Sequence, residues 1–507
     1  VTRTQYTVVL GVMLSLFLAS MESTVVSTAM PTIVSQLGEL ERYSWVFSAY
    51  LLASTTMVPI YGKLSDQIGR RPVYAAAMAL FLAGSLLCGR AETMSQLIAF
   101  RVVQGLGAGG VLSLAFTIVG ALFDYERRAR MQGFFSSVWG FSSVVGPLIG
   151  GFLVDKVSWR WIFYINVPPG LLAAVLIWTA WVDEPRPASA GPVRVDYAGA
   201  AVLSGSVVMI LLGLFSLESA SGRSVIALGL GLAVLLWFVE RRAADPILPM
   251  RLFHERLFSA ATAHGILSGF AMFGSIAFVP LFVQAVLGTS ATAAGATLTP
   301  FMLGWVSASV AGTRLLLRVG YRVLALAGMA SLTTGAFLMS RIGSDASHLS
   351  LVVNLALMGI GMGLSVPSFT IAVQTAVERK DLGTATSTLQ FARSIGGAVG
   401  VSIMGVVLGE RLSRTLAAGG VDPAGVSLNR LLDPLARSSS AAPASLDAVL
   451  RGALAVAIQG VFVIAFLAAA LGLLATAGAP RGSLAQLASA RRMSRGTAPV
   501  TPEPGAE

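Results

Sequence analysis

Apolar residues dominate the chain in long runs separated by short charged turns. Read in order, the runs cover 6–34, 45–62, 73–89, 95–122, 132–154, 161–182, 198–217, 224–239, 258–286, 292–316, 323–340, 349–376, 384–409 and 449–478. A membrane-spanning helix needs roughly 20 mostly apolar residues. The pattern therefore predicts fourteen spanning helices, the eighth being the shortest. The first run resembles a secretory leader only briefly, because it continues past the small residues Ala19–Ser20 and reads as a retained helix. Two segments lack the pattern. Residues 410–448, with Pro423, Pro434 and Pro443, read as an external loop, and residues 479–507 read as a disordered tail rich in Ala, Ser, Pro and Arg.

Glycines carry a repeat. Gly105, Gly107 and Gly109 recur at Gly359, Gly361 and Gly363, and Gly146 and Gly151 recur at Gly400 and Gly405, all offset by 254 residues. The turn Gly69-Arg70-Arg71 recurs as Gly320-Tyr321-Arg322 at an offset of 251. The chain thus divides into a six-helix half over 1–182, linkers and two inserted helices over 183–257, and a second six-helix half over 258–478. Membrane proteins built from two such halves enclose a cavity where the halves meet.

Composition agrees with the spans. Charged residues are only 12% of the 507, against about 25% in soluble domains, and the mean hydropathy is +0.78. The net charge of +11 raises nucleic acid as a partner, but the basic residues sit in turns rather than on a folded face. Placing both termini in the cytoplasm leaves 22 Lys and Arg in cytoplasmic segments and 11 outside, the bias expected of an inner (plasma) membrane protein. Cys88 stands alone, so no internal disulfide exists, and His254, His264 and His348 lack any metal-ligand spacing. HExxH, GxSxG and Walker loops are absent, so neither an enzyme nor a nucleotide-driven pump is expected, and no cofactor.

Three formal charges fall well inside spans: Glu22, Arg101 and Arg393. Mid-membrane charges cost at least roughly 2.5–3.5 kcal/mol and by default mark function. Glu22 lies about sixteen residues into its helix, ~24 Å along the axis, which puts it in the outer half of the membrane. Burial favours its proton and a neighbouring arginine opposes it, so such a carboxylate can load and release a proton. Arg101 cannot deprotonate and needs partners, with Gln104 on the same face. Arg393 can line a cavity or snorkel to the cytoplasmic interface. Trp139 and Met358 are further cavity candidates on the weaker ground that methionine and aromatic surfaces adapt to varied apolar ligands.

Particular motifs resemble a known family. Gly62-Lys63-Leu64-Ser65-Asp66-Gln67-Ile68-Gly69-Arg70-Arg71-Pro72 is similar to the signature loop of the major facilitator superfamily. The segment from Arg101 to Gly107 is similar to its helix-4 arginine motif, and Gly146-Pro147-Leu148-Ile149-Gly150-Gly151 to its antiporter motif. Trp159–Pro168 and Glu22–Pro31 resemble the fourteen-helix drug–proton antiporter branch, where an Asp is commoner at the position of Glu22. The resemblance implies an all-α, polytopic, monomeric exporter of amphipathic, cationic or hydrophobic compounds, driven by protons. A lipid or dedicated-metabolite transporter of the same fold is the alternative. It further implies a conformational gate formed by Gly62, Asp66, Gly69, Arg70 and Arg71, asymmetric because Leu317 stands where Asp66 would repeat. For Gly146, Pro147, Gly150 and Gly151 it implies a bent helix sealing the cavity against proton leak.

Overall fold

The computed structural model describes residues 3–37, 43–183, 196–215, 219–243, 246–248, 250–289, 296–344, 346–419, 421, 444–487 and 489. Most of the predicted external loop and tail lies outside these residues. Some helical side chains, that of Pro147 among them, also fall outside the description.

Among the described residues the protein is helical. The first half contains α1 (Arg3–Leu37), α2 (Tyr43–Ile68), α3 (Arg70–Gly89), α4 (Met94–Leu122), α5 (Tyr125–Lys156), the single turn α6 (Trp161–Tyr164) and α7 (Val167–Ala180). Two further helices follow, α8 (Tyr197–Phe215) and α9 (Ala220–Arg242). The second half contains a short α10 (Met250–His254), α11 (Arg256–Leu281), α12 (Thr299–Val319), α13 (Tyr321–Ser340), α14 (His348–Ala376), α15 (Leu382–Ala418) and α16 (Ala444–Ala477). Polar side chains start several of them. Thr93 accepts the Gln96 amide at 3.2 Å, and Asp124 accepts that of Arg127 at 3.1 Å. Each satisfies a donor that the first helical turn leaves free. The helix α15 runs past Gly409 to Ala418, so the segment read as loop begins as helix.

Twelve helices among the described residues are long and apolar enough to cross a membrane, against the fourteen spans read from the sequence. The two not among them are α2, 26 residues long, whose hydropathy falls short, and α5, 32 residues long, many of whose side chains lie outside the description. Both lie where the halves meet, which accounts for the lower hydropathy of α2. Each forms one of the two seams between the halves, α2 against α15 and α5 against α12. Faces packed against protein need not be as apolar as faces turned to lipid.

Within the first half α4 packs on α2 and α3, and α1 packs on α5 and α7. In the second half α14 packs on α12 and α13, and α11 on α15 and α16. The glycine repeat is the reason these pairs match. A Cβ on Gly105 or Gly109 would lie 2.5 and 2.3 Å from the carbonyl oxygens of Tyr50 and Ser54. On Gly359 or Gly363 it would lie 2.0 and 2.3 Å from those of Phe301 and Trp305. These partners are themselves 251 residues apart. Only glycine allows helices so close. The two turns also match, Gly69 and Gly320 having φ of 100° and 84°, where side chains are strained.

The pair α8–α9 packs on the α2–α15 seam, through an apolar cluster holding Leu52, Leu203, Val207 and Leu236, with Phe391 and Ile395 against it.

Candidate functional site

Glu22 and Arg101 meet in the interior of the first half. Both are 1% exposed, and the Arg101 guanidinium donates to the Glu22 carboxylate. The helices α1 and α4 bring them together across 79 residues of sequence. Arg101 also donates to Gln104 Oε1 at 2.8 Å and to the Val46 carbonyl at 3.1 Å, and lies 4.2 Å from the Tyr50 ring centroid. The second oxygen of Glu22 accepts from Asn166 Nδ2 at 2.8 Å, and Asn166 and Gln104 both donate to Ser85 Oγ at 3.0 and 3.2 Å. The pair is therefore held at both ends by neutral dipoles, which offset the cost of burying two charges. One polar atom is left over, since Asn166 Oδ1 is buried without a partner.

At one end the halves are also tied together. Asp66, in the last turn of α2, accepts the amides of Gly383 and Thr384 at 2.9 and 2.8 Å and the Thr384 hydroxyl at 3.1 Å. These amides begin α15, where the helix dipole favours an anion. Arg70 stands 3.6 Å from Asp66 and donates to the Arg379 carbonyl at 3.3 Å. Gly62 makes the approach possible, because a Cβ there would lie 1.9 Å from Ser387 Oγ. Asp183 bridges the turn after Gly69, accepting the amides of Arg70 and Arg71 at 2.9 and 3.0 Å and the Trp181 indole N–H at 2.8 Å. The Arg71 side chain stacks 4.2 Å from the Trp178 ring. Arg128 adds a further tie from α5, donating to the Gln374 carbonyl at 3.0 Å.

Between the halves lies a cavity of about 280 Å³. Phe116 and Trp139 line it from the first half, and Met272, Phe301 and Trp305 from the second. Its polar lining is Gln390, Arg393 and Ser394, all on α15.

The sequence-selected residues thus fall in separate places. Glu22, Arg101 and Gln104 form one network, and Gln104 is fully buried there rather than open to the cavity. Trp139 and Arg393 line the cavity, so Arg393 does not snorkel away from it. Met358 is 0% exposed in the core of the second half, against Gly335, and does not line the cavity. Gly62, Asp66, Gly69, Arg70 and Arg71 gather at that contact between the halves. Gly146 and Gly150 are buried on α5, whereas a Cβ on Gly151 meets nothing within 4 Å. The side chain of Pro147 lies outside the described residues.

Sequence reasoning did not single out Ser85, Asn166 or Asp183. They are single polar residues beside long apolar runs, and Asn166 stands within the Trp159–Pro168 motif without a charge to mark it. Among the described residues no cluster of three His, Cys, Asp or Glu could hold a metal ion.

Residues 12–401 match the family described as Major Facilitator Superfamily. The chain is 39% identical over 412 residues to the multidrug transporter protein MdtP of Bacillus subtilis, covering 80% of this chain and 76% of that protein. It is 38% identical to multidrug resistance protein 3 of the same organism, with 79% of each covered. Among solved structures, the proton:xylose symporter XylE superposes with a TM-score of 0.63 at 12% identity, covering 96% of this chain and 98% of that one, a likeness of fold.

Proposed function

The chain belongs to the Major Facilitator Superfamily, and from that membership we propose a drug–proton antiporter that exports amphipathic compounds by alternating access. It is a multi-pass membrane transporter for small substrates, not an enzyme. The relatives named multidrug transporter and multidrug resistance protein support drug efflux as its task. In this reading α2 and α5 also cross the membrane, making fourteen spans, with both termini cytoplasmic in the plasma membrane and a single chain as the working unit.

One observation carries the coupling: a carboxylate, Glu22, is buried between Arg101 and Asn166. Deprotonated, it holds Arg101. Once protonated it no longer neutralises the guanidinium, and the balance that fixes α1 against α4 changes. Inward movement of the proton supplies about 2.3 kcal/mol per 100 mV of membrane potential. The contact of Asp66 with the start of α15 closes the cytoplasmic side in one state and must break in the other. The buried glycines of α5, Gly146 and Gly150, let neighbouring helices pack closely on α5, and a bend at Pro147 seals the cavity against proton leak. A cavity of about 280 Å³ lies just below the 300–1,000 Å³ range of small-molecule sites, which favours a compact compound over a two-chain lipid.

Everted vesicles test the coupling. Substrate addition is expected to release a proton flux in wild type and none in Glu22→Gln. A flux that survives the substitution removes Glu22 from the mechanism.

A further inference from the structure

We propose that the cavity takes amphipathic compounds with an anionic or strongly hydrogen-bond-accepting head, held by Arg393, and disfavours cations. The proposal deepens the exporter reading and rests on it, but its argument comes from the cavity lining and not from the Glu22–Arg101 network.

Arg393 is the one formal charge among the described residues that line the cavity, and no carboxylate lines it. Its situation differs from that of Arg101. Arg101 is closed off by a carboxylate, an amide, a carbonyl and an aromatic face. Among the described residues Arg393 has no ion-pair partner, and its hydrogen-bond acceptor is the Gln390 side chain, three residues earlier on the same helix. A guanidinium offers five N–H donors in a planar fork that fits a carboxylate, sulfonate or phosphate. A purely structural arginine at this depth would be expected to find a counter-charge or carbonyls, because leaving it unmatched is expensive. The neighbouring His264 adds no negative charge. It packs against Phe369 in an adjoining crevice that Arg393 also lines. The wall opposite supplies flat apolar surface, Trp139 and Phe116 on one side and Phe301 and Trp305 on the other. An aromatic body there with an acidic head on Arg393 satisfies both. A cation in the same cavity would meet a fixed positive charge in a medium that screens it little.

The test uses one naphthalene body carrying a sulfonate, a neutral carboxamide or a trimethylammonium group. Each tritiated probe is bound to the purified full chain in detergent, without a proton gradient. The sulfonate is expected to bind about tenfold more tightly than the trimethylammonium probe. Arg393→Gln should erase that preference, weakening the sulfonate far more than the carboxamide, and Arg393→Lys should keep its sign. Tightest binding of the ammonium probe to wild type, or an unchanged ranking in Arg393→Gln, overturns the proposal. The wild-type ranking needs no variant to fold. Because the readout is binding, a failure of proton coupling in vesicles leaves this result standing, and the reverse also holds.

Discussion

The two halves share one frame and differ in what fills it. Gly105 and Gly359 admit the same kind of backbone approach, and so do Gly109 and Gly363. Yet the polar network of the first half has no copy. At the matching offset of 251, Phe301 stands for Tyr50 and Ala336 for Ser85. At 254, Leu355 stands for Arg101 and Met358 for Gln104. All four belong to the main apolar core of the second half. Duplication therefore preserved the packing rule and not the chemistry. The buried ion pair belongs to the first half, while the polar groups of the cavity come from the second.

The sharpest way to break this contrast is to give the first half the residue of the second. Arg101→Leu leaves Glu22 buried and unpaired, which should cost about 3–5 kcal/mol, read as a fall in thermal unfolding midpoint in detergent. Adding Glu22→Gln should recover a large part of that loss, since no charge is then left alone. A loss that the second change does not reduce would show that Arg101 acts through packing, as Leu355 does.

Next in size is the shared frame. Gly359→Ala puts a Cβ 2.0 Å from the Phe301 carbonyl and Gly105→Ala puts one 2.5 Å from that of Tyr50. Each should lose about 1–3 kcal/mol by overpacking. Losses of the same order sharpen the equivalence, and a loss confined to one half breaks it.

Asp66 has no acidic counterpart, Leu317 standing at the repeat position, 41% exposed. Asp66→Asn should weaken the cap on α15 by about 1–2 kcal/mol, shifting the population in which this contact is closed by about tenfold. Alkylation of a cysteine placed at Ser387, which faces Gly62, should speed up accordingly in a Cys88→Ala background. Leu317→Asn should change stability by less than about 0.5 kcal/mol. The smallest effect is expected at Gly151→Ala, within about 0.5 kcal/mol of wild type, because the added methyl group meets open space. A larger loss there would mean that α5 packs differently around its glycines.

Much of the frame can be read from the sequence, because glycine spacing is a direct imprint of helices that touch. The charges at 22, 101 and 393 can be picked out for a similar reason: in an apolar run an ionisable residue is costly enough to be noticed. What they touch cannot be read so easily. Asn166 reaches Glu22, and Ser85 the amides of Asn166 and Gln104, only after several helices have packed, and a lone amide or hydroxyl costs too little to stand out. The fourteen-run count and the twelve sufficiently apolar helices diverge at α2, where hydropathy reports what a helix faces as much as whether it crosses, and at α5, many of whose side chains lie outside the description. Met358 entered on side-chain type alone, and type does not say which way a residue points.

The helix α15 has 37 residues without a break, about 55 Å at 1.5 Å per residue and well beyond a hydrocarbon core of about 30 Å. Its inner end is gripped by Asp66, and Arg393 sits roughly a third of the way along. A rigid rod of that length acts as a lever. Pivoting by about 10° around its inner end would carry the outer end through about 10 Å while Arg393 moved only about 3 Å. Small adjustments at the Asp66 contact would then be read out as large displacements at the far end of the helix, with the cavity arginine moving little.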